Sequence, residues 1–157
     1  LDVFPIEYLN FQNNYKVVYG KDILGDLAFD SGLLRLQCER EIKGKLLLLR
    51  QGFLASGGKR INLEPLIADS LSALIAIFNG LLHLKGKVLP RYQRDVVKVS
   101  CETFNMDAVL FNKLLDVKEK AIKCSDRELT DLFKDYVKEV QKLWRAVDTL
   151  ETRQESG

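Results

Sequence analysis

Few residues in this chain could do chemistry. There is one histidine, His83, with no second imidazole and no nearby cysteine to share a proton or a metal ion. A general base or metal ligand is one use of such a residue; a capping or satisfied core histidine at the end of an apolar helix is the other. Asp69 is the sharper oddity, because it is the one acidic residue inside the apolar run from Leu66 to Leu84. A buried carboxylate is costly unless paired. Asp69 could pair with Arg40, Lys43 or Arg50, face a ligand cleft, or sit early in a helix where it favours the macrodipole or meets solvent. The three cysteines, Cys38, Cys101 and Cys124, are widely spaced and form no C-x-x-C pair. That pattern points to reduced, partly buried thiols in a cytoplasmic setting rather than to a zinc knuckle or a redox dithiol.

Other catalytic arrangements are missing. No G-x-x-x-x-G-K-[ST] loop, no G-x-G-x-x-G and no G-x-S-x-G elbow occurs, which removes the common phosphate-cradling and nucleophile-elbow chemistries. Gly57-Gly58-Lys59-Arg60 could meet a phosphate, but glycines beside basic residues also make an ordinary solvated link. An Arg and His together on one helical face, as helix-borne ribonucleases need, is not found around His83. The net charge is +2, from 24 basic and 22 acidic residues. So balanced a surface predicts no strong pull toward nucleic acid or anionic lipid.

The elements that must position these residues are mostly helices. With 46 % hydrophobic and 29 % charged residues over 157 positions, the composition fits one folded domain. Residues 1–30 differ from the rest: Phe4, Ile6, Tyr8, Leu9 and Phe11 surround Pro5 and Glu7 in a run of β-formers, which reads as a strand or extended linker. No signal peptide is visible, and the lack of an initiator Met suggests a fragment. From Ser31 to about Phe53, Leu34, Cys38, Ile42, Leu46, Leu49 and Phe53 recur at helical spacing. The opposite face reads as charged, with i,i+4 pairs Arg35–Glu39, Glu39–Lys43 and Glu41–Lys45. Asn62 is the expected N-cap of a second helix that runs to His83. That helix is nearly long enough to span a bilayer, but its apolarity on every side and its amphipathic neighbours predict the central helix of a bundle. A third helix is expected from Pro90 to Cys101 and a fourth after Asp107, with Val109, Leu110, Leu114, Leu115 and Val117 as its apolar positions. A Ser125/Glu128 capping box opens the fifth. Together these predict an all-α, up-and-down bundle of about five helices over residues 31–152, with a frayed tail at 153–157.

Phe4-Pro5-Ile6-Glu7-Tyr8-Leu9-Asn10-Phe11, followed by Tyr15 to Leu24 and then by Leu34 to Arg50, resembles the junction between catalytic sheet and helical bundle in DNA-polymerase-β-like nucleotidyltransferases. The likeness is most specific over residues 4–50; beyond that it is an order of helices. It implies the C-terminal helical domain, which in aminoglycoside-type relatives binds the acceptor substrate or forms the dimer. In that family a Gly-Ser pair, an Asp-x-Asp pair and a third carboxylate hold divalent metal, expected to be magnesium. This sequence has neither pair, although Glu7 falls near the third carboxylate's place. The resemblance therefore implies an accessory or substrate-binding domain without catalysis of its own, partnered by a catalytic domain in the same chain or another subunit. Any magnesium would belong to that missing domain.

On polarity and position, Glu39, Arg50, Asp69, Asn79 and His83 are the candidate substrate-binding residues, in a cleft between the first and second helices. A homodimerising interaction module, docking through the lone strand and the fifth helix, is the competing expectation. A helical nucleic-acid module of the toxin–antitoxin kind is a third, which the charge balance disfavours.

Overall fold

The computed structural model describes residues 31–154, with side chains through Leu150. Among these residues there are five helices and no strand: α1 (Ser31–Ser56), α2 (Arg60–Leu84), α3 (Gln93–Phe104), α4 (Ala108–Lys118) and α5 (Asp126–Gln154). The all-α bundle expected from helical periodicity is what forms. The strand expected within residues 1–30, and Glu7 with it, lies outside the described residues.

α1 buries Leu34, Cys38, Ile42, Leu46 and Leu49, one stripe at steps of three and four. It stops where Gly57 and Gly58 adopt φ of 61° and 72°, a left-handed conformation that side-chain-bearing residues resist. Ser56 closes the turn, its hydroxyl donating to Phe53 O at 2.6 Å and accepting from Gly58 N.

α2 begins at Arg60, ahead of the expected Asn62 cap, and its N-cap residue Lys59 makes no side-chain cap bond. The free N–H of Arg60 donates instead to Asp126 Oδ1 of α5 at 2.8 Å. Asn62 turns back and donates to Ser56 O at 3.1 Å. The earlier start places Pro65 inside the helix, where one intrahelical bond is forgone in an exposed early turn. α3, by contrast, starts later than the expected Pro90, after an extended Tyr92, and runs on to Phe104. α4 is capped as expected, Asp107 Oδ1 accepting from Leu110 N at 3.1 Å, but Val109 points to solvent rather than to the core. The α5 capping box closes in both directions: Ser125 N donates to Glu128 Oε2 at 2.7 Å and Glu128 N to Ser125 Oγ at 3.2 Å. α5 continues through Gln154, past the 152 at which periodicity ended the bundle.

Pairs of contacts fix the directions. Arg60 meets Asp126 and Ser70 meets Tyr136, each 66 positions apart, so α2 and α5 run parallel. Phe53 stacks on Phe133, and Lys43 lies over Trp144, so α1 runs antiparallel to α5. α3 and α4 form a short antiparallel hairpin, tied where Arg94 meets Asp116 and Glu119, both at 2.7 Å. α2 packs against all four other helices. That explains its apolarity on every side, although it is also the one described helix long and apolar enough to cross a membrane. α1, by contrast, packs chiefly on α2 and α5, which leaves its outer side uncovered among the described residues.

Candidate functional site

The five residues singled out by polarity do not converge. Glu39 is half-buried on α1 and bonds Arg35 at 3.1 Å and Lys43 at 3.2 Å. Partial burial pushes its carboxyl up, but the two cationic partners together outweigh this and hold it below the usual glutamate range. Two of the three expected i,i+4 pairs thus form, whereas Glu41 and Lys45 do not pair with each other. Asp69 is exposed on α2, so it is neither a buried ion-pair partner nor a carboxylate sealed in a cleft. It borders a cavity of about 450 Å³ between α1 and α2, lined mainly by Leu48, Leu49, Ala55 and Leu66. That is the cleft the sequence pointed to, and it is apolar. Asn79 is buried in α2. His83 is exposed near the end of that helix, where its carbonyl accepts from Gly86 N at 3.0 Å. Arg50 lies on another side of the bundle, between α1 and α5.

No group of three or more His, Cys, Asp or Glu side chains gathers among the described residues. They therefore offer no cage for the magnesium that the resemblance assigns to a catalytic domain. All three cysteines are free and buried. Burial pushes the Cys38 and Cys101 thiols up to about 12, helped by nearby carboxylates such as Glu41 and Glu139 respectively, so neither is a nucleophile near neutral pH.

The surface that does assemble is the groove between α1 and α5. Two cavities of about 330 and 490 Å³ lie along it and share Arg50. Their walls are antiparallel helices, and from Lys43 to Phe53 the groove runs about 15 Å at the rise of an α-helix. Its floor holds Leu46, Phe53, Phe133, Val137 and Trp144, with the Phe53 and Phe133 rings stacked at 5.3 Å. The rims are cationic: Lys43 and Arg50 on α1, Lys134, Lys138 and Arg145 on α5, with no carboxylate in either lining. Lys43 also lies 5.1 Å from the centroid of Trp144, a cation–π contact that fixes one end of the groove.

Along the α1 rim, Leu36, Leu47 and Leu54 are 46 %, 57 % and 82 % exposed. This corrects the expectation that the outer face of α1 is simply charged. Leu33, Arg40, Leu47 and Leu54 recur every seven residues, as do Leu36, Lys43 and Arg50. That is a second seam, on the side of α1 away from its own core. The signal was present in the sequence, but leucines alternating with cations match a solvated face as well as a docking seam, and nothing local distinguishes the two.

Compared with family models, with curated proteins and with solved structures, the chain finds no match in any of the three. Residues 31–154 form an all-α bundle of three long helices and a short helical hairpin.

Proposed function

We propose that this domain is a protein-interaction module whose working surface is the α1–α5 groove. One observation carries the reading: exposed leucines align along a single rim beside a groove with an apolar floor. Isolated exposed leucines are ordinary on a protein surface, but aligned ones beside an apolar groove mark a place to bury area. A small-molecule site is less well supported, because such sites converge a few polar groups on an enclosed pocket, and the polar candidates here are dispersed over three sides of the bundle.

An accessory domain of a nucleotidyltransferase is one protein that would carry such a surface, with the catalytic domain as its partner. That form of the reading rests on residues 4–50 and on the order of the helices.

The test is photo-crosslinking in the source cells, with the crosslinking residue placed at Leu47 or, as a control, at exposed Tyr92 beyond the groove. The expected result is a discrete adduct from position 47 that position 92 does not give and that Leu54→Glu abolishes. Equal adducts from both positions, or none from 47, would overturn the proposal.

A further inference from the structure

We infer that the occupant of the α1–α5 groove is an acidic amphipathic helix of about three turns, supplied by a partner protein; this rests on the docking reading above and adds the chemistry of the partner. Length comes first. The walls run about 15 Å, close to three turns of a guest helix laid along them. The concave apolar floor suits the stripe of a helix at i, i+3, i+4 and i+7.

Charge sets the identity of the flanks. Five cations line the groove and no carboxylate is among its lining residues, although two of the cations have one beside them. Lys43 is already paired with Glu39, and Lys138 with Asp135 at 3.7 Å. Arg50, Lys134 and Arg145 have no carboxylate partner among the described residues. Lys43 and Arg50 stand seven residues apart on one wall, as do Lys138 and Arg145 on the other. Two heptad-spaced cationic rows therefore face a guest from both sides, and carboxylates seven apart on each flank of its apolar stripe would meet them. This is the e/g charge logic of a coiled coil applied to a third helix.

The same charges argue against other occupants. A second copy meeting its twin through this face would oppose cation to cation, because a twofold interface presents one patch to itself. A bilayer would need its apolar contacts on one convex face, whereas here the exposed leucines stand on one rim only and the aromatic floor is recessed between two helices. Single-stranded nucleic acid would need exposed aromatic faces to stack on, and Trp144 is already half-buried beneath Lys43.

The probes are three synthetic helix-forming peptides of fourteen residues. One has a leucine stripe flanked by glutamates, one the same stripe flanked by lysines, and one is a scramble of the first. Trp144, the only tryptophan, reports occupancy by fluorescence, and calorimetry checks it. The glutamate peptide should bind, more weakly as salt rises, while the lysine peptide and the scramble should not. Lys138→Glu with Arg145→Glu should weaken the glutamate peptide about tenfold or more and confer binding of the lysine peptide. Both residues are exposed, so unchanged circular dichroism and urea midpoints will show that the fold is intact. Leu47→Glu should weaken the glutamate peptide, because it removes an apolar rim contact and adds a like charge.

Equal binding of both stripe peptides would overturn the acidic assignment. So would binding to phosphatidylcholine–phosphatidylglycerol vesicles with no peptide bound, or concentration-dependent self-association abolished by Leu47→Glu. If no peptide binds but the position-47 crosslink persists and Leu54→Glu removes it, this inference falls and the docking reading stands. If the crosslink also fails, both fall.

Discussion

At the scale of single residues, the polar groups that matter to stability are those whose partners the fold cannot replace. Ser70 Oγ donates to Ile67 O at 3.1 Å and also lies 3.1 Å from Tyr136 Oη. Since the serine proton is committed to Ile67, the tyrosine hydroxyl is the donor in the second bond. Tyr136→Phe therefore leaves Ser70 with its own bond intact and should cost about 1 kcal/mol. Ser70→Ala strands a fully buried hydroxyl and should cost more, about 1–3 kcal/mol. Urea denaturation of the two variants checks the order, and the double variant should cost less than their sum because the bond is lost only once. Thiol chemistry gives a second prediction. Burial, the largest influence at all three cysteines, raises each thiol. A thiol reagent at pH 8 should therefore label none of the three in the folded chain and all three in denaturant, and rapid labelling of the folded chain would contradict the buried placement.

At the scale of helices, much was legible and the exceptions have physical causes. Core stripes, the α5 capping box and the Asp107 cap are local in sequence, so periodicity and capping chemistry found them. The start of α2 was missed because its cap, Asp126, comes from 66 residues away, and no local pattern encodes that. Val109 was misplaced for a related reason, and of the alternatives open for Asp69 the fold selects the solvent-facing one: periodicity gives a face, while the neighbouring helices decide whether that face is covered. Glycines show the same division between local and tertiary causes. Gly44 lies exposed in the middle of α1, with nothing within 4 Å of an added Cβ. Gly44→Ala should gain the helix propensity and raise stability by about 0.5–1 kcal/mol. Gly52, eight residues on, would place its Cβ 2.7 Å from Leu66 Cδ2 and 3.3 Å from Leu66 Cγ, so Leu66 must move. The same propensity gain at Gly52→Ala should be cancelled or reversed. Thermal melts of the two variants side by side separate the contributions, and equal stabilisation by both would show that α1 and α2 are not in close contact at Leu66.

Across the whole molecule, the bundle is joined by a chain of rings. Phe53 of α1 stacks on Phe133 of α5, Phe133 meets Tyr136 at 6.3 Å, Tyr136 meets Phe111 of α4 at 6.1 Å, and Phe111 meets Phe78 of α2 at 5.8 Å. The path leads from the floor of the α1–α5 groove to the far side of the core, linking every described helix except α3. The sequence shows these rings only as apolar positions on four separate helices; their meeting is a property of the packing, as is the groove, which exists only once α1 and α5 lie antiparallel. The short hairpin is therefore not an appendage, because one of its members carries a central ring of the chain. Phe111 is fully buried, and Phe111→Ala should cost about 3–5 kcal/mol, a large share of the roughly 5–15 kcal/mol that holds an ordinary domain folded. Its location makes the form of unfolding as informative as its midpoint. Trp144 reports the α1–α5 side, and far-ultraviolet circular dichroism reports all the helices. If the ring chain couples the bundle, both signals should shift to lower urea together and stay superimposable. If the circular dichroism of Phe111→Ala splits into two steps while Trp144 keeps its original midpoint, the α3–α4 hairpin melts as its own unit and the groove does not depend on it.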